Sequence, residues 1–256
     1  GIPDANTLWI TSYLNLTAHL AHLGLSWSLI SIIFWIIPIL LISFFSAYFL
    51  FKTFFESKQF AIISGIIYTT NTYILLIFLG GQAGVALAYA FIPLAFLLFS
   101  ELLNKPSLRS SILFGTVFSL VVLFDPRLAF LASIILSIYY VFQLKFSSKE
   151  LLYIFLIPAI VTVCLHAFWL LPLVMFRSNI IPAGFESIQG VRFFSFALFE
   201  NSFSLLHPNW PENIFGKTYF LRPEFLILPI LAFSSLLFKK NKKILFFALL
   251  GLIGAF

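Results

Sequence analysis

The chain has 256 residues, of which 61% are hydrophobic and only 9% carry a charge. A water-soluble domain of this size needs a far more polar surface, so the composition excludes a soluble globular protein and predicts a polytopic membrane protein. Lys and Arg exceed Asp and Glu, for a formal net charge of +6. Because these cations stand in short loops between apolar runs, they indicate membrane topology rather than nucleic-acid binding.

The cysteine content and the chain ends bound the class further. The single cysteine, Cys164, lies in an apolar run, which excludes a disulfide framework and a thiolate metal cluster. The chain begins at Gly1 rather than Met and ends at Phe256 inside an apolar run. We therefore expect a single membrane domain over residues 1–256 that is a fragment of a longer protein.

The N-terminal residues 1–26 are too polar to cross a bilayer, but they sort into two faces at helical spacing. This pattern predicts a helix lying on the outer surface of the membrane. A metal ion can bridge two His three residues apart, although two ligands alone make a weak metal site. The polar face holds Ser12, Asn15, His19 and His22, and the apolar face holds Trp9, Tyr13, Leu16, Leu20 and Leu23.

Eight apolar runs then predict membrane spans. A straight helix needs about 20 residues to cross a hydrocarbon core of roughly 30 Å. The predicted fold is thus an all-α polytopic transmembrane helix bundle with extracytoplasmic interfacial helices, the second of which starts at Arg192. Residues 177–223 are predicted to form a long outer loop. The predicted spans are 27–51, 60–79, 85–103, 108–124, 128–143, 151–176, 225–238 and 244–256, the last one cut short.

The basic residues give the orientation of these spans. Alternate threading places ten Lys and Arg on one side, in four short loops, and five on the other, so the first side is predicted to be cytoplasmic. The inner set is Lys52, Lys58, Lys105, Arg109, Lys145, Lys149, Lys239, Lys240, Lys242 and Lys243, and the outer set is Arg127, Arg177, Arg192, Lys217 and Arg222. The protein is therefore predicted to be a multi-pass protein of the cytoplasmic membrane.

The triplet Asp125-Pro126-Arg127 joins the fourth and fifth spans at the predicted outer face. A carboxylate at the edge of a helix bundle can bind a divalent cation, including the cation of a pyrophosphate-linked lipid donor. The same triplet is also a good helix start, with Asp125 as N-cap and Pro126 at the first helical position. In that case Arg127 extends its side chain to the membrane surface. Both interpretations stay open.

Two groups in or between the spans carry further polarity. His166 lies inside the sixth span, where an ionisable residue marks a functional site or a neutral side chain bonded to a neighbouring helix. The turn Gly80-Gly81-Gln82-Ala83-Gly84 brings backbone N–H groups to the outer face. Such a turn holds a phosphate oxygen or serves only as a tight hairpin.

The long outer loop holds the remaining candidates. Arg192, His207, Trp210 and Arg222 combine cations with an aromatic platform, a combination that binds lipid phosphates and sugar faces. The alternative is a proline-stiffened loop with aromatic anchors at the membrane interface. We expect Asp125, Arg192, His207 and His19 or His22 to converge on one outward cavity beneath this loop, because partly buried polar groups need partners or water.

The order of these features resembles the GT-C superfamily of polytopic glycosyltransferases and GT-C-like membrane proteins of unknown activity. The resemblance rests on the interfacial helix from Leu8 to Leu25, the segment from Asn71 to Pro93, the outward Asp125 and the long loop after the sixth span. It implies transfer of a sugar from a polyprenyl-phosphate donor to an extracytoplasmic acceptor, with the active face outside. Membrane lipids and the lipid-linked sugar are the implied partners, and no nucleic acid is expected.

The resemblance also assigns roles to residues. It implies a catalytic carboxylate in the first outer loop, where Asp4 stands, with Asp125 as a metal ligand or orienting group and a divalent cation as the candidate cofactor. The substrate-binding candidates are Gln82, Arg127, His166, Arg192, His207, Trp210 and Arg222. A lipid or solute transporter and a noncatalytic assembly subunit are the alternative functions.

The predicted topology can be tested by cysteine accessibility. Ser147→Cys and Asn241→Cys place thiols in two predicted cytoplasmic loops, so an impermeant thiol reagent is expected to label them only from the cytoplasmic side. Labelling of either residue from the outside in intact cells would contradict the orientation.

Overall fold

The computed structural model of the chain describes residues 5–143, 151–176, 226–238 and 241–255. All regular elements within these ranges are helical, which confirms the predicted all-α fold. A short 3₁₀ turn, Ala5–Ile10, leads into the first helix. The further helices are α1 Thr11–His22, α2 Trp27–Phe55, α3 Lys58–Thr70, α4 Thr72–Leu79, α5 Ala83–Asn104, α6 Leu108–Phe124, α7 Pro126–Gln143, α8 Ile157–Phe176, α9 Ile227–Phe238 and α10 Lys242–Ala255.

Four apolar segments of the described chain are long enough to cross a membrane: α2, α5, α7 and the segment Leu152–Met175, which includes most of α8. Helices α6 and α9 are apolar but shorter. These lengths agree with a multi-pass membrane protein. The bounds of the predicted first, third, fourth, fifth and sixth spans agree with the observed helices to within a few residues.

The predicted second span, 60–79, is not a continuous helix. Helix α3 ends at Thr70, and α4 begins at Thr72. The side chain of Asn71 lies in the break, and its Oδ1 accepts the backbone N–H of Ile74 at 3.1 Å. Asn is a favoured N-cap because its side chain competes for backbone hydrogen bonds. The cap at Asn71 thus divides the apolar run 60–79 into two helices, whereas its hydropathy alone predicts one.

Backbone contacts divide the described residues into two compact units. One contains the chain up to Thr69 together with the residues from Gln82 to the end of α8, and the other contains Thr70–Gly81 with α9 and α10. In the first unit α5 lies at the centre. Of its most apolar 18 residues 61% are buried, whereas 28% or less are buried in the corresponding stretches of α2, α7 and the α8 segment. Helices α2, α6 and α7 pack around α5, and α8 packs on α6.

Small side chains allow these helices to approach closely, as is usual within membranes. The hydroxyl of Ser46 on α2 donates to the carbonyl of Ala90 on α5 at 2.8 Å. On α6, an ideal Cβ at Gly115 would lie 2.9 Å from Cα and 3.1 Å from the carbonyl oxygen of Pro158. Gly115 is thus required because α8 presents rigid backbone at this contact.

A π-helical turn stands directly before a proline at two places in the described chain. Ile32–Ile36 forms the turn in α2, and Leu152–Leu156 forms the turn that leads into α8. In each turn a backbone N–H donates to the carbonyl five residues earlier, from Ile37 to Ile32 and from Ile157 to Leu152. The next residue is Pro38 or Pro158, which has no N–H to donate, so the preceding turn has to open.

Hydroxyl groups from other helices donate hydrogen bonds to carbonyl groups that lack their usual amide donor because of these prolines. Phe34 stands four residues before Pro38, and its carbonyl accepts the hydroxyl of Tyr13. Tyr153 stands five residues before Pro158, and its carbonyl accepts the hydroxyl of Ser111 at 2.7 Å. Hydrocarbon offers no water to replace these bonds, so both contacts hold neighbouring helices together as well as satisfying the backbone.

The close contact at Gly115 gives a stability prediction. Gly115→Ala is expected to lower the free energy of unfolding by about 1–3 kcal/mol, because the added methyl group meets the backbone of α8. The measurement is denaturant unfolding of the purified protein in micelles, followed by circular dichroism.

Gly251→Ala is the matched control, because the nearest atom to an added Cβ there is a Phe233 ring carbon at 3.8 Å. The control variant is expected to be as stable as the unchanged protein or up to about 1 kcal/mol more stable, because Ala favours a helix over Gly. Equal stability of the Gly115→Ala variant and the control would contradict the packing described here.

Candidate functional site

The predicted outer end of the first unit brings four chain segments together. An ideal Cβ at Gly84, in the first turn of α5, would lie 3.0 Å from Cδ1 of Ile10 and 3.2 Å from the carbonyl oxygen of Phe124. Phe124 ends α6, and Asp125 and Arg127 follow directly at the start of α7. We call this set the rim, defined as Ile10, Tyr13, Gly84, Phe124, Asp125 and Arg127.

Tyr13 fixes α1 to α2 and to the end of α6 through three aromatic contacts and one hydrogen bond. Its ring meets the rings of Phe34, Trp35 and Phe124 edge-on, with centroids 6.5, 5.0 and 5.1 Å away. Its hydroxyl donates to the carbonyl of Phe34. Burial raises the pKa of this phenol above its usual value, so the hydroxyl remains a donor at every pH below about 10.

Asp125 is almost fully buried, at 2% exposure. Its Oδ1 accepts the backbone N–H of Arg127 at 2.8 Å and that of Leu128 at 3.0 Å, so the side chain caps α7. Its Oδ2 accepts Nη2 of Arg127 at 2.6 Å, and Nε of Arg127 lies 3.2 Å from both carboxylate oxygens. The arrangement is a forked ion pair between a buried carboxylate and a guanidinium that is 74% exposed.

These bonds decide what Asp125 can do chemically. Each carboxylate oxygen already accepts two or more hydrogen bonds, and a divalent cation would have to displace Arg127 to reach them. The helix-start interpretation of Asp125-Pro126-Arg127 therefore describes the observed geometry. The exposed charged group of the rim is the guanidinium of Arg127, which Asp125 orients.

The other candidates of the predicted outer face lie on exposed positions. His19 and His22 are exposed in the last turn of α1, and Gln82 is exposed just before α5. The backbone N–H of Gly81 donates to the carbonyl of Phe78 at 3.0 Å, as at a helix end, so it is engaged within the chain. In the part of the chain that the structure describes, no three His, Cys, Asp or Glu side chains gather as a metal site would require.

His166 is buried between α6 and α8, at 1% exposure. Its Nδ1 accepts the indole N–H of Trp169 at 2.8 Å, so this nitrogen carries no proton. Its Nε2 lies 3.0 Å from the carbonyl oxygen and 3.1 Å from the hydroxyl of Ser119, and it donates to the carbonyl. Both ring nitrogens thus serve helix packing, and His166 would have to exchange one of these bonds to contact a substrate.

The remaining predicted residues, Asp4, Arg192, His207, Trp210 and Arg222, lie outside the described residues. The predicted convergence of Asp125, Arg192 and His207 beneath the long loop therefore stays a prediction. Two residues at the described contacts were missed in the sequence. The sequence pattern places Tyr13 only on an apolar face and gives Ser119 no role, although a hydroxyl among apolar residues in a span is a signal of interhelical bonding.

Comparisons of the chain with protein-family models, with curated proteins and with solved structures yield no match.

The two roles of Asp125 can be separated by substitution. Asn retains an oxygen that caps α7 but loses the charge, so Asp125→Asn is expected to cost less than about 1 kcal/mol, the usual limit for an ion pair with one exposed partner. Asp125→Ala also removes the cap and is expected to cost about 1 kcal/mol more. Denaturant unfolding in micelles measures both, and equal stability of the two variants would contradict the capping role.

Proposed function

We propose that the chain is the membrane domain of a GT-C-like glycosyltransferase that moves a sugar from a polyprenyl-phosphate donor to an acceptor outside the cytoplasm. The observation that carries the proposal is the ion pair at the rim. Asp125 is buried and fixes the orientation of an exposed guanidinium at one end of a helix hairpin. Guanidinium groups recognise phosphate through paired N–H donors, and a fixed orientation lowers the entropy cost of that contact.

The position of the rim fits a substrate with a lipid anchor. A polyprenyl phosphate keeps its chain in hydrocarbon and its phosphate at the membrane surface. Arg127 stands at the end of α7, a helix long and apolar enough to cross a membrane. Helix α1, which the observed contacts place on the bundle through Tyr13, meets Phe124 directly before this ion pair.

The chemistry assigns separate tasks to the residues. In the transfer step an acceptor oxygen or nitrogen forms a bond to the anomeric carbon, and the bond from that carbon to the phosphate oxygen breaks. The polyprenyl phosphate leaves with negative charge, which Arg127 stabilises. A carboxylate accepts the acceptor proton, the role that the family resemblance gives to Asp4. Asp125 is then a positioning residue for Arg127.

Transport of a lipid or solute is a second candidate, favoured by the break between α3 and α4. Interrupted helices line the binding sites of many transporters. However, His166, a buried ionisable group within a described span, has both ring nitrogens bonded within the protein. Movement of a labelled lipid-linked sugar across the vesicle membrane, without formation of polyprenyl phosphate, would favour transport over glycosyl transfer.

The glycosyltransferase proposal predicts a specific effect at Arg127. The full-length protein in vesicles is incubated with a panel of polyprenyl-phosphate monosaccharides, and the released polyprenyl phosphate is measured by mass spectrometry. Arg127→Ala is expected to lower the rate about 10- to 100-fold, as for loss of a charged hydrogen-bonded contact of roughly 1.5–3 kcal/mol. Arg127→Lys is expected to recover part of the rate because it retains the charge but not the fork.

Arg109→Ala is the matched control. Arg109 is exposed in the first turn of α6, at the opposite end of the same helix hairpin. Its loss is expected to leave the rate unchanged. Release of polyprenyl phosphate at the same rate from the Arg127→Ala and Arg109→Ala variants would contradict the proposed site, and no release from any donor would contradict the activity.

A further inference from the structure

The first unit contains an apolar groove of about 370 Å³, within the range of roughly 300–1,000 Å³ that is usual for ligand pockets. Helix α6 and one residue of α5 form its floor, and α7 and α8 with the preceding π turn form its two walls. The floor residues are Phe99, Phe114 and Phe118, and the walls are Ser133, Leu136 and Ser137 on one side and Ile154, Phe155, Pro158, Ala159, Thr162 and Val163 on the other.

The two walls of the groove meet at one ring contact, and the groove has an open side. Phe155 meets Tyr140 edge-on, with ring centroids 5.0 Å apart, and this contact joins the two walls. Val163 is 56% exposed and Ser137 is also exposed, so both stand at the open side. The groove therefore opens laterally from segments that are long and apolar enough to cross a membrane, and not from the rim.

The polar atoms of the lining are already bonded to backbone carbonyls. The hydroxyl of Ser133 donates to Ala129 at 2.8 Å, and that of Ser137 donates to Ser133 at 2.8 Å. The hydroxyl of Thr162 donates to Gly115 at 3.3 Å. A bound water needs two to four polar partners, and a polar solute needs donors or acceptors aimed at it. The hydroxyl donors of the lining are thus occupied and its other side chains are apolar, so its chemistry favours hydrocarbon.

We propose that this groove binds one acyl chain of a bilayer phospholipid. The groove opens to the hydrocarbon core, where phospholipid chains are the most concentrated apolar molecules, and its volume holds a section of one chain rather than a whole lipid. Moving a methylene group from the bilayer into the groove gains little free energy, because the bilayer is itself apolar. The contribution to binding comes from packing against the rings of Phe114 and Phe118, which a disordered chain in bulk lipid lacks. The inference is independent of the proposed glycosyl transfer.

Retention of lipid after purification tests the proposal. The protein is reconstituted in phosphatidylcholine vesicles and extracted into detergent, and the retained phospholipid is counted by native mass spectrometry. We expect one phospholipid per unchanged chain. Ala159→Phe fills the groove and is expected to lower the retained phospholipid at least about tenfold, equivalent to about 1.4 kcal/mol.

Ile160→Phe is the matched control, since Ile160 is the next residue of α8, is 52% exposed and does not line the groove. It is expected to retain lipid like the unchanged chain.

A second measurement needs no variant. Phosphatidylcholine with a diazirine in its acyl chain is retained through detergent exchange and then irradiated, and adducts are expected on groove residues such as Ala159 and Val163.

The outcomes separate the possible occupants. Equal retention by the Ala159→Phe and Ile160→Phe variants would overturn the proposal, as would adducts confined to residues outside the groove. Retention of added polyprenyl phosphate but not of phosphatidylcholine would assign the groove to another lipid. A dimer without bound lipid would assign it to a second copy of the chain.

Discussion

A chain surrounded by hydrocarbon has to satisfy its backbone polar groups from within, and much of the observed packing follows from this requirement. Pro38 and Pro158 each remove an amide donor from a long apolar helix. In a soluble helix water would bond the carbonyls left over. Here Tyr13 and Ser111 supply hydroxyls from other helices, so the proline defects become fixed contacts between helices.

The same requirement explains why small and polar residues gather between the helices of the first unit. Gly115 allows α8 to approach α6 at Pro158, and Ser111 and Ser119 then lie close enough to bond the π turn and His166. These contacts lie on one side of α6 along its length. The position of α8 is therefore set by backbone approach and hydrogen bonds, and the rings of Phe114 and Phe118 on α6 line the groove between α7 and α8.

Much of the fold could be predicted because the free energy of placing a helix in a membrane depends on the length and composition of an apolar run. The helices near residues 27–51, 85–103 and 108–124 needed no tertiary information. The break at Asn71 was missed for a physical reason. Hydropathy averages over a window, whereas a cap depends on one side chain, and Asn71 followed by an apolar run was a cap signal that the average concealed.

The candidate site was predictable only in part. The triplet at Asp125 indicated both a helix start and a functional carboxylate, and sequence alone does not reveal which bonds a carboxylate makes. The choice depends on whether Arg127 folds back onto Asp125, which is a matter of side-chain geometry. The groove was not predictable at all, because its lining comes from four helices and its residues are ordinary apolar ones.

Helix α7 connects the two regions for which functions are proposed. It begins beside the capping carboxylate of Asp125, and its residues Ser133 and Ser137 line the groove. Arg127 and Ser133 are six residues apart, about 9 Å along the helix axis. A rigid helix transmits a displacement at one end to the other, and the cap at Asp125 couples α7 to the end of α6. The cap at Asp125 and one wall of the groove are therefore carried by the same helix, less than two turns apart.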